Sequence, residues 1–262
     1  MKYSMEAAIE AERLEEQVFQ SNYSLADELS RFKFSPNEII LDAGCGTGVL
    51  SRFLAEQRKV KKIHGIDFSD LRLKQAEKLS RGSTKDAVSF YRQDLGNLEA
   101  KFHGQYDTVI CRYVLEHCDN PVKVLTELRK SLKPGGRLIG FDLDGVFLNL
   151  YSQNAKLNAY MEEFTKGVRF DLNVGRKMPA YLKQAGFTNI EWNAELLCCK
   201  GERLEEERTN TEKRFAAITS FLTELLGSKE RFEEFKHLYL TEMMKPENTS
   251  VFTKFIFNGT NP

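Results

Sequence analysis

The stretch Ile39 to Val49, IILDAGCGTGV, constrains this chain more than any other. An apolar run ends in the acid Asp42, and Gly44, Gly46 and Gly48 follow at alternate positions. Leu50, Phe53 and Leu54 then share one face of an amphipathic stretch. The pattern reads as strand, glycine turn, helix. Glycines allow positive φ and remove the Cβ atoms that would hold a ligand away from the main chain. Taken alone, such a turn also serves as a tight connection or as a seat for several kinds of nucleotide. Its spacing narrows the choice. The dinucleotide fingerprint asks for G-x-G-x-x-G, whereas position 49 is Val. The phosphate loop asks for a Lys after its last Gly, and none follows Gly48. What remains is a close seat without a place for two phosphates, preceded by an acid that suits a cationic ligand group.

At 262 residues and 41% hydrophobic content the chain can bury a sizeable core, and one domain with helical additions is expected. Lys plus Arg and Asp plus Glu are 38 each, so no global field recruits a polyanion, and nucleic acid is disfavoured as a partner. The five cysteines form no C-x-x-C pair, and MKYSMEAAIE has no apolar signal core; a reduced, cytoplasmic protein is expected. No run approaches the ~18 apolar residues of a membrane span. His64, His103 and His237 stand in no metal-ligand spacing, so no metal site is expected.

Residues 4 to 33 read as helix broken near Asn22 and Ser24, with Ile9, Val18, Leu25 and Leu29 at helical spacing. This segment is either a solvated outer layer or a cover folded over the turn, in which case Gln17 and Tyr23 line a pocket. Downstream, VKKIHGID gives a second strand ending in Asp67, about 20 residues past the turn, where a carboxylate can accept from both hydroxyls of a ribose. Ser69 can cap the next helix and leave Asp67 free. A third strand, AVSFYRQDL, ends in Asp94 and Leu95. There the acid can accept from an exocyclic amine while the Leu packs on a base. A fourth, YDTVICR, precedes YVLEH; SLKPGGRLIGFDLD supplies a turn and a fifth; SVFTKFIFNG alternates as a last strand.

Taken together, LDAGCGTG, GIDFS, QDL, YDTVICRYVLEH and LKPGGRLIGFD, in this order and spacing, resemble the class I S-adenosylmethionine-dependent methyltransferases. The likeness is close over residues 36 to 144 and weaker to Trp192. It implies a Rossmann-like, doubly wound, seven-stranded α/β sheet, parallel except for its last strand. It divides the chain into an N-terminal helical cover (1–35) and a methyltransferase domain (36–262), with helical insertions at about 146–166 and 201–244. Carried onto this sequence, it implies that Gly44, Gly46 and Gly48 surround the methionine part of the cofactor and that Asp42 faces its amino group through the loop or a water. By the same resemblance Asp67 would hold the ribose hydroxyls and Phe68 would lie against the adenine or ribose. Asp94 with Leu95 would recognise the adenine, and Arg112 would contact the methionine moiety through its main chain.

Methyl transfer from a sulfonium is a single displacement, so orientation supplies most of what is needed and a base is optional. His117, just past the fourth strand, is the best candidate for one; a capping or core histidine is the alternative. Asp144 at the end of the fifth strand and Tyr151 in the first insertion are candidate acceptor-pocket residues. The second insertion is a charged amphipathic pair suited to covering a sheet edge or a homodimer surface, with Phe215, Ile218, Phe221, Leu222 and Leu225 as its buried stripe. CRYV stands where base-amino methyltransferases commonly carry [DN]-P-P-[YFW]. The acceptor is therefore expected to be a small molecule. A protein or peptide side-chain methyltransferase and a non-catalytic S-adenosylmethionine-binding protein are the alternatives, and a dehydrogenase lacks its third glycine.

Overall fold

The computed structural model describes residues 8–58, 60–168 and 171–262. Its strands are β1 (Ile39–Ala43), β2 (Lys62–Asp67), β3 (Val88–Arg92), β4 (Tyr106–Arg112), β5 (Leu132–Asp144), β6 (Leu150–Tyr151), β7 (Thr188–Cys198) and β8 (Thr249–Thr260). They form one sheet in the order β3-β2-β1-β4-β5-β8-β6, with β7 also paired to β8. The first five are mutually parallel, and β8 lies antiparallel between β5 and β7. The seven long strands and the reversed last one match the sequence reading. Two details differ: β6 is an additional two-residue strand on β8, and β5 begins at Leu132, ahead of the Pro134-Gly135-Gly136 turn.

Buried on both faces, the parallel strands are near-continuous apolar runs rather than alternating ones, as Val109, Ile110 and Cys111 show. One face carries α6 (Pro121–Ser131) and α8 (Met178–Gln184), whose Leu125, Leu128, Met178 and Leu182 pack on Leu41, Val109 and Leu138. The other carries α2 (Leu25–Ser30) and α3 (Val49–Phe53), with Leu25, Leu29 and Leu50 against Ile40, Ile110 and Phe141. Because β1 to β5 are parallel, their carboxyl ends share one edge, and strand order reverses between β1 and β4. That reversal opens a crevice.

Two further helices, α4 (Asp70–Leu79) and α5 (Ser83–Ala87), connect β2 to β3, and α1 (Ala8–Gln17) precedes α2. Ser24 caps α2, its side chain accepting from Asp27 N at 3.3 Å, which explains the break in the N-terminal helical pattern. The first insertion is helical later than expected. Val146 to Asn154 is irregular apart from β6, and α7 (Ala155–Gly167) starts where the Asn154 side chain accepts from Lys156 N and Leu157 N. The second insertion holds α9 (Glu202–Ala217), α10 (Thr219–Leu226) and α11 (Lys229–Met243). Together with α7 these build a second core around Phe164, Phe215, Phe232 and Phe235. Phe215, Ile218 and Leu222 are buried in it, and Phe221 and Leu225 pack at its margin. Among the described residues no helix is long and apolar enough to cross a membrane.

Candidate active site

A cavity of about 420 Å³ opens at the carboxyl edge of the sheet, lined by the ends of β1, β2 and β4, the segments that follow them, and residues of α1 and α9. The glycine turn is its floor. Gly44 N and Cys45 N both donate to Ile66 O, at 2.8 and 2.9 Å, which ties the turn to β2. Asp67 finishes the tie. Its two carboxylate oxygens accept from Gly46 N at 2.9 Å and from Ser69 N at 2.8 Å, one clamping the turn and the other starting α4. Each oxygen retains a lone pair for a ligand hydroxyl. Burial raises the Asp67 carboxyl above the usual carboxylate range, against the pull of those two backbone donors.

The three glycines do different work. A Cβ on Gly46 (φ +53°) would meet only Leu14 of α1, at 3.5 Å, so this position faces the space beneath the N-terminal helix. Gly44 stands against Val114 and still lines the cavity. Gly48 does not line it; a Cβ there would lie 2.6 Å from the Phe90 ring, so its role is close packing of α3 on β3. Of the three glycines expected around the cofactor, Gly44 and Gly46 thus line the cavity and Gly48 is set back from it.

Asp42 is fully buried beneath the turn and accepts from the Ser51 hydroxyl at 2.6 Å. Burial raises its pKa to about 7, with the Ser51 hydrogen bond pulling the other way and the nearby Asp67 adding to the rise. An acid held at that threshold gains most from a cation beside it. Thr47, also in the turn, has a buried hydroxyl with no partner among the described residues. An orphaned polar atom on a cavity wall marks a place for ligand chemistry.

Phe68, Asp94 and Leu95 form the far wall. The Arg92 guanidinium lies 5.4 Å from the Phe68 ring centroid, and Asp94 Oδ1 accepts from Gly96 N at 2.8 Å. At the end of β4, Arg112 lines the cavity while its side chain turns toward the N-terminal helices, donating to Glu28 Oε2 at 2.7 Å and to Tyr23 O at 2.8 Å. Tyr113 follows with φ 56°, a left-handed conformation uncommon outside glycine. Its hydroxyl donates to Glu28 Oε1 at 2.6 Å, and its ring lies 4.3 Å below the Arg112 guanidinium. Lys254 Nζ also donates to Glu28, at 2.6 Å.

His117 ends a short 3-10 turn, Leu115–His117, on the cavity wall, with Nε2 3.4 Å from Glu116 Oε1. The turn is held from below by Asp142, which accepts from Leu115 N at 3.1 Å and from Leu143 N at 3.0 Å. The roof comes from α1 and α9. Glu10 and Arg13 form a buried bidentate pair, and Arg13 reaches Asn210 at 3.1 Å. Gln17, Arg214 and Ile218 complete the roof, next to Val146, Phe147 and Leu172.

Three expected pocket residues lie elsewhere. Tyr23 is buried behind the roof, where its hydroxyl donates to Glu207 and accepts from Arg214 and its ring stacks on Phe252. Asp144 accepts from Arg176 N and Nε and so anchors the Gly175–Lys177 turn. Tyr151 is 59% exposed on β6. Glu10, Arg13, Glu28, Glu207 and Arg214 escaped the sequence reading because charged residues on amphipathic helices usually face water. The i,i+3 pairing of Glu10 with Arg13 on the stripe of Leu14 was the one local hint.

Residues 34–196, more than half the chain, match the family model described as a methyltransferase domain. The chain belongs to the class I S-adenosylmethionine-dependent methyltransferases. A ubiquinone biosynthesis O-methyltransferase of Dechloromonas aromatica is 34% identical over 117 residues, 45% of this chain and 46% of that relative. The matched segment thus spans about half the relative's length. Among solved structures, Haemonchus contortus phosphoethanolamine N-methyltransferase 2, in complex with phosphomonomethylethanolamine and S-adenosylhomocysteine, superposes with a TM-score of 0.61. It is 18% identical and covers 98% of this chain and 57% of that one. The [4+2]-cyclase SpnF superposes at 0.59, with 18% identity over 91% of this chain and 80% of its own. These likenesses show the fold.

S-adenosylmethionine is the cofactor of the family, and the cavity of this methyltransferase fits it. The left-handed turn at Gly46 leaves the main chain open, the unpaired Thr47 hydroxyl calls for a partner, and Asp42 and Asp67 keep acceptor capacity at the carboxyl ends of adjacent strands.

Proposed function

We propose that the protein transfers the methyl group of S-adenosylmethionine to an O, N or C nucleophile of a small molecule held beneath α1 and α9. The observation that carries this reading is the continuity of the cavity, from Asp67 and the glycine turn to Phe147, Leu172 and Arg214 under a helical roof. Its volume suits small ligands rather than a folded substrate surface. The ubiquinone O-methyltransferase relative supports a small acceptor.

In this reading Asp67 accepts from the ribose hydroxyls, Asp42 faces the amino group, and Phe68, Asp94 and Leu95 bound the adenine. When bound, S-adenosylmethionine supplies a methyl group already activated on sulfonium. Orientation can contribute about 7–11 kcal/mol to such a displacement, and a general base a factor of about 10² to 10⁴. The walls therefore matter more than any single proton acceptor. His117 is the proposed base for an acidic acceptor, its ring on the cavity wall beside Glu116.

The test is cofactor titration by calorimetry, followed by S-adenosylhomocysteine release with panels of phenols, amines and peptides. Turnover on small acceptors is expected. Turnover confined to peptides transfers the assignment to a side-chain methyltransferase, and tight binding without turnover on any panel makes the protein a cofactor-binding module.

A further inference from the structure

The cavity roof carries hydrogen-bond donors that the protein does not use. Arg214 is buried; one terminal nitrogen donates to Glu207 Oε1 at 2.7 Å and the other to the Tyr23 hydroxyl at 2.8 Å. Its Nε–H has no acceptor among the described residues, and the side chain lines the cavity. Gln17 is 4% exposed and lines the same cavity, and its side-chain amide makes no hydrogen bond among the described residues. A donor on a cavity wall with no protein acceptor is open to a ligand that supplies one, so both positions are suited to such a ligand.

The acids of the roof are in the opposite condition. Both oxygens of Glu10 accept from Arg13, at 2.6 and 2.7 Å, and the two oxygens of Glu207 accept from Arg214 at 2.7 Å and Tyr23 at 3.0 Å. A cationic acceptor would find each roof carboxylate already paired; an oxyanion would find free donors. Charge-assisted bonds from a guanidinium to an oxyanion are about twice as strong as neutral ones. The formal charges of Arg13, Arg214, Glu10 and Glu207 cancel, so an anion entering here meets no net repulsion. The adjoining Val146, Phe147, Leu172 and Ile218 offer only apolar surface.

We infer that Arg214 and Gln17 form an oxyanion subsite of the acceptor pocket, which selects small molecules with an apolar body and a carboxylate or phosphate group. The inference rests on the small-molecule reading above and adds the chemistry by which the acceptor is recognised. Arg214 determines specificity, with Glu207 and Tyr23 holding its plane.

The test uses the full chain saturated with S-adenosylhomocysteine and four calorimetric probes: 4-hydroxybenzoate, phenyl phosphate, methyl 4-hydroxybenzoate and tyramine. At least one of the two anions should bind about tenfold or more tighter than the uncharged ester, and which anion does so separates carboxylate from phosphate recognition. Arg214→Gln should abolish the preference, with affinity for S-adenosylhomocysteine retained, and Arg214→Lys should restore part of it. Since Arg214→Gln also leaves Glu207 buried without its partner, Gln17→Glu serves as a second variant. It disturbs no protein hydrogen bond and should weaken the anion by about tenfold. Equal binding of ester and anions, tighter binding of tyramine, or an anion preference that survives Gln17→Glu overturns the subsite. Failure to bind S-adenosylhomocysteine at all overturns the cofactor reading instead, so the two failures are distinguishable.

Discussion

Glu28 of α2 accepts from the Arg112 guanidinium at 2.7 Å, and this buried pair joins the N-terminal helices to the end of β4. Burial alone would raise the Glu28 carboxyl, but Arg112 and Lys254 beside it hold it below the usual range. The pair also fixes Tyr113, whose left-handed backbone forms part of the cavity wall. Strain of that kind, about 1–3 kcal/mol, persists only where the surroundings over-determine it.

Glu28→Ala should therefore destabilise the fold by about 3–5 kcal/mol, because Arg112 and Lys254 would remain buried without their counter-charge. Urea denaturation measures this directly. A loss below about 1 kcal/mol would mean that the network is solvated and does not anchor α2. Glu28→Gln keeps the shape and part of the hydrogen bonding, and should fall between the two.

At the cofactor end, Asp67→Ala removes the acceptor proposed for the ribose as well as the clamp on Gly46 N and Ser69 N. S-adenosylhomocysteine affinity should drop at least about tenfold. Unchanged affinity in a variant folded by circular dichroism would exclude Asp67 as the ribose acceptor.

The glycine turn gives a contrast between two positions. Gly46→Val projects into the space below Leu14 and should abolish cofactor binding while leaving a folded protein. Gly48→Ala meets the Phe90 ring at 2.6 Å in a left-handed backbone and should lower the melting temperature more than it changes affinity. If Gly46→Val binds normally, the turn is a structural bend only.

These residues also show what the sequence could convey. The order of strands, the turn and the two acids at successive strand ends are local patterns, each set by hydrophobic period or by glycine, and they were legible without coordinates. The packing of Gly48 on Phe90 was not legible, because a glycine that admits a ligand and a glycine that admits a ring look alike in one dimension. Tyr23 had the right chemistry but faces Arg214 and Glu207, partners roughly 190 residues away along the chain. The roof charges were illegible for the same reason. Glu10, Glu207 and Arg214 resemble solvated helix residues until α1 is laid along α9, stapled by bonds such as Arg13 to Asn210 and Lys213 to Glu12.

Asp42 predicts a pH signature. Its pKa rises from 3.8 in the unfolded chain to about 7 in the folded one, chiefly through burial. The folded state therefore binds the proton more tightly, and the stability this group contributes at low pH is lost as pH climbs from about 4 toward 7. The limiting slope is about 1.4 kcal/mol per pH unit. Asp42→Asn should flatten that part of the stability profile of the ligand-free protein. Affinity for S-adenosylmethionine should change in the other direction, rising through pH 7 as Asp42 ionises, if it faces the ligand's ammonium group as proposed. Parallel stability profiles for wild type and variant would show that the carboxyl titrates normally.

The last prediction concerns a mobile cover, proposed for residues 1–33 and 146–166 and including the roof helix α1; positions 1–7 lie outside the described residues. In α1, links to the core are largely polar. Arg52 of α3 donates to Glu15 at 2.6 and 2.8 Å and to Thr47 O at 2.6 Å, so one guanidinium spans the helix and the glycine turn. Lys213 reaches Glu12 at 2.8 Å from α9 and also pairs with Glu16. These pairs are partly exposed on their acidic side, and an exposed pair is worth about 1 kcal/mol or less, so lifting this helix away from the sheet costs chiefly the buried Arg13–Asn210 bond. A closed cover excludes water from the methyl donor, and an open one admits both ligands. Hydrogen exchange with S-adenosylhomocysteine should therefore slow in α1 and in 146–166, while β1 changes little. Arg52→Gln should speed exchange in α1 and raise the cofactor dissociation rate more than it alters the association rate. A fixed outer layer is the competing account, and Val18 and Leu25, buried against the sheet core, give it substance for the segment after α1. Exchange in α1 that is already slow without ligand and identical with it would decide for that account.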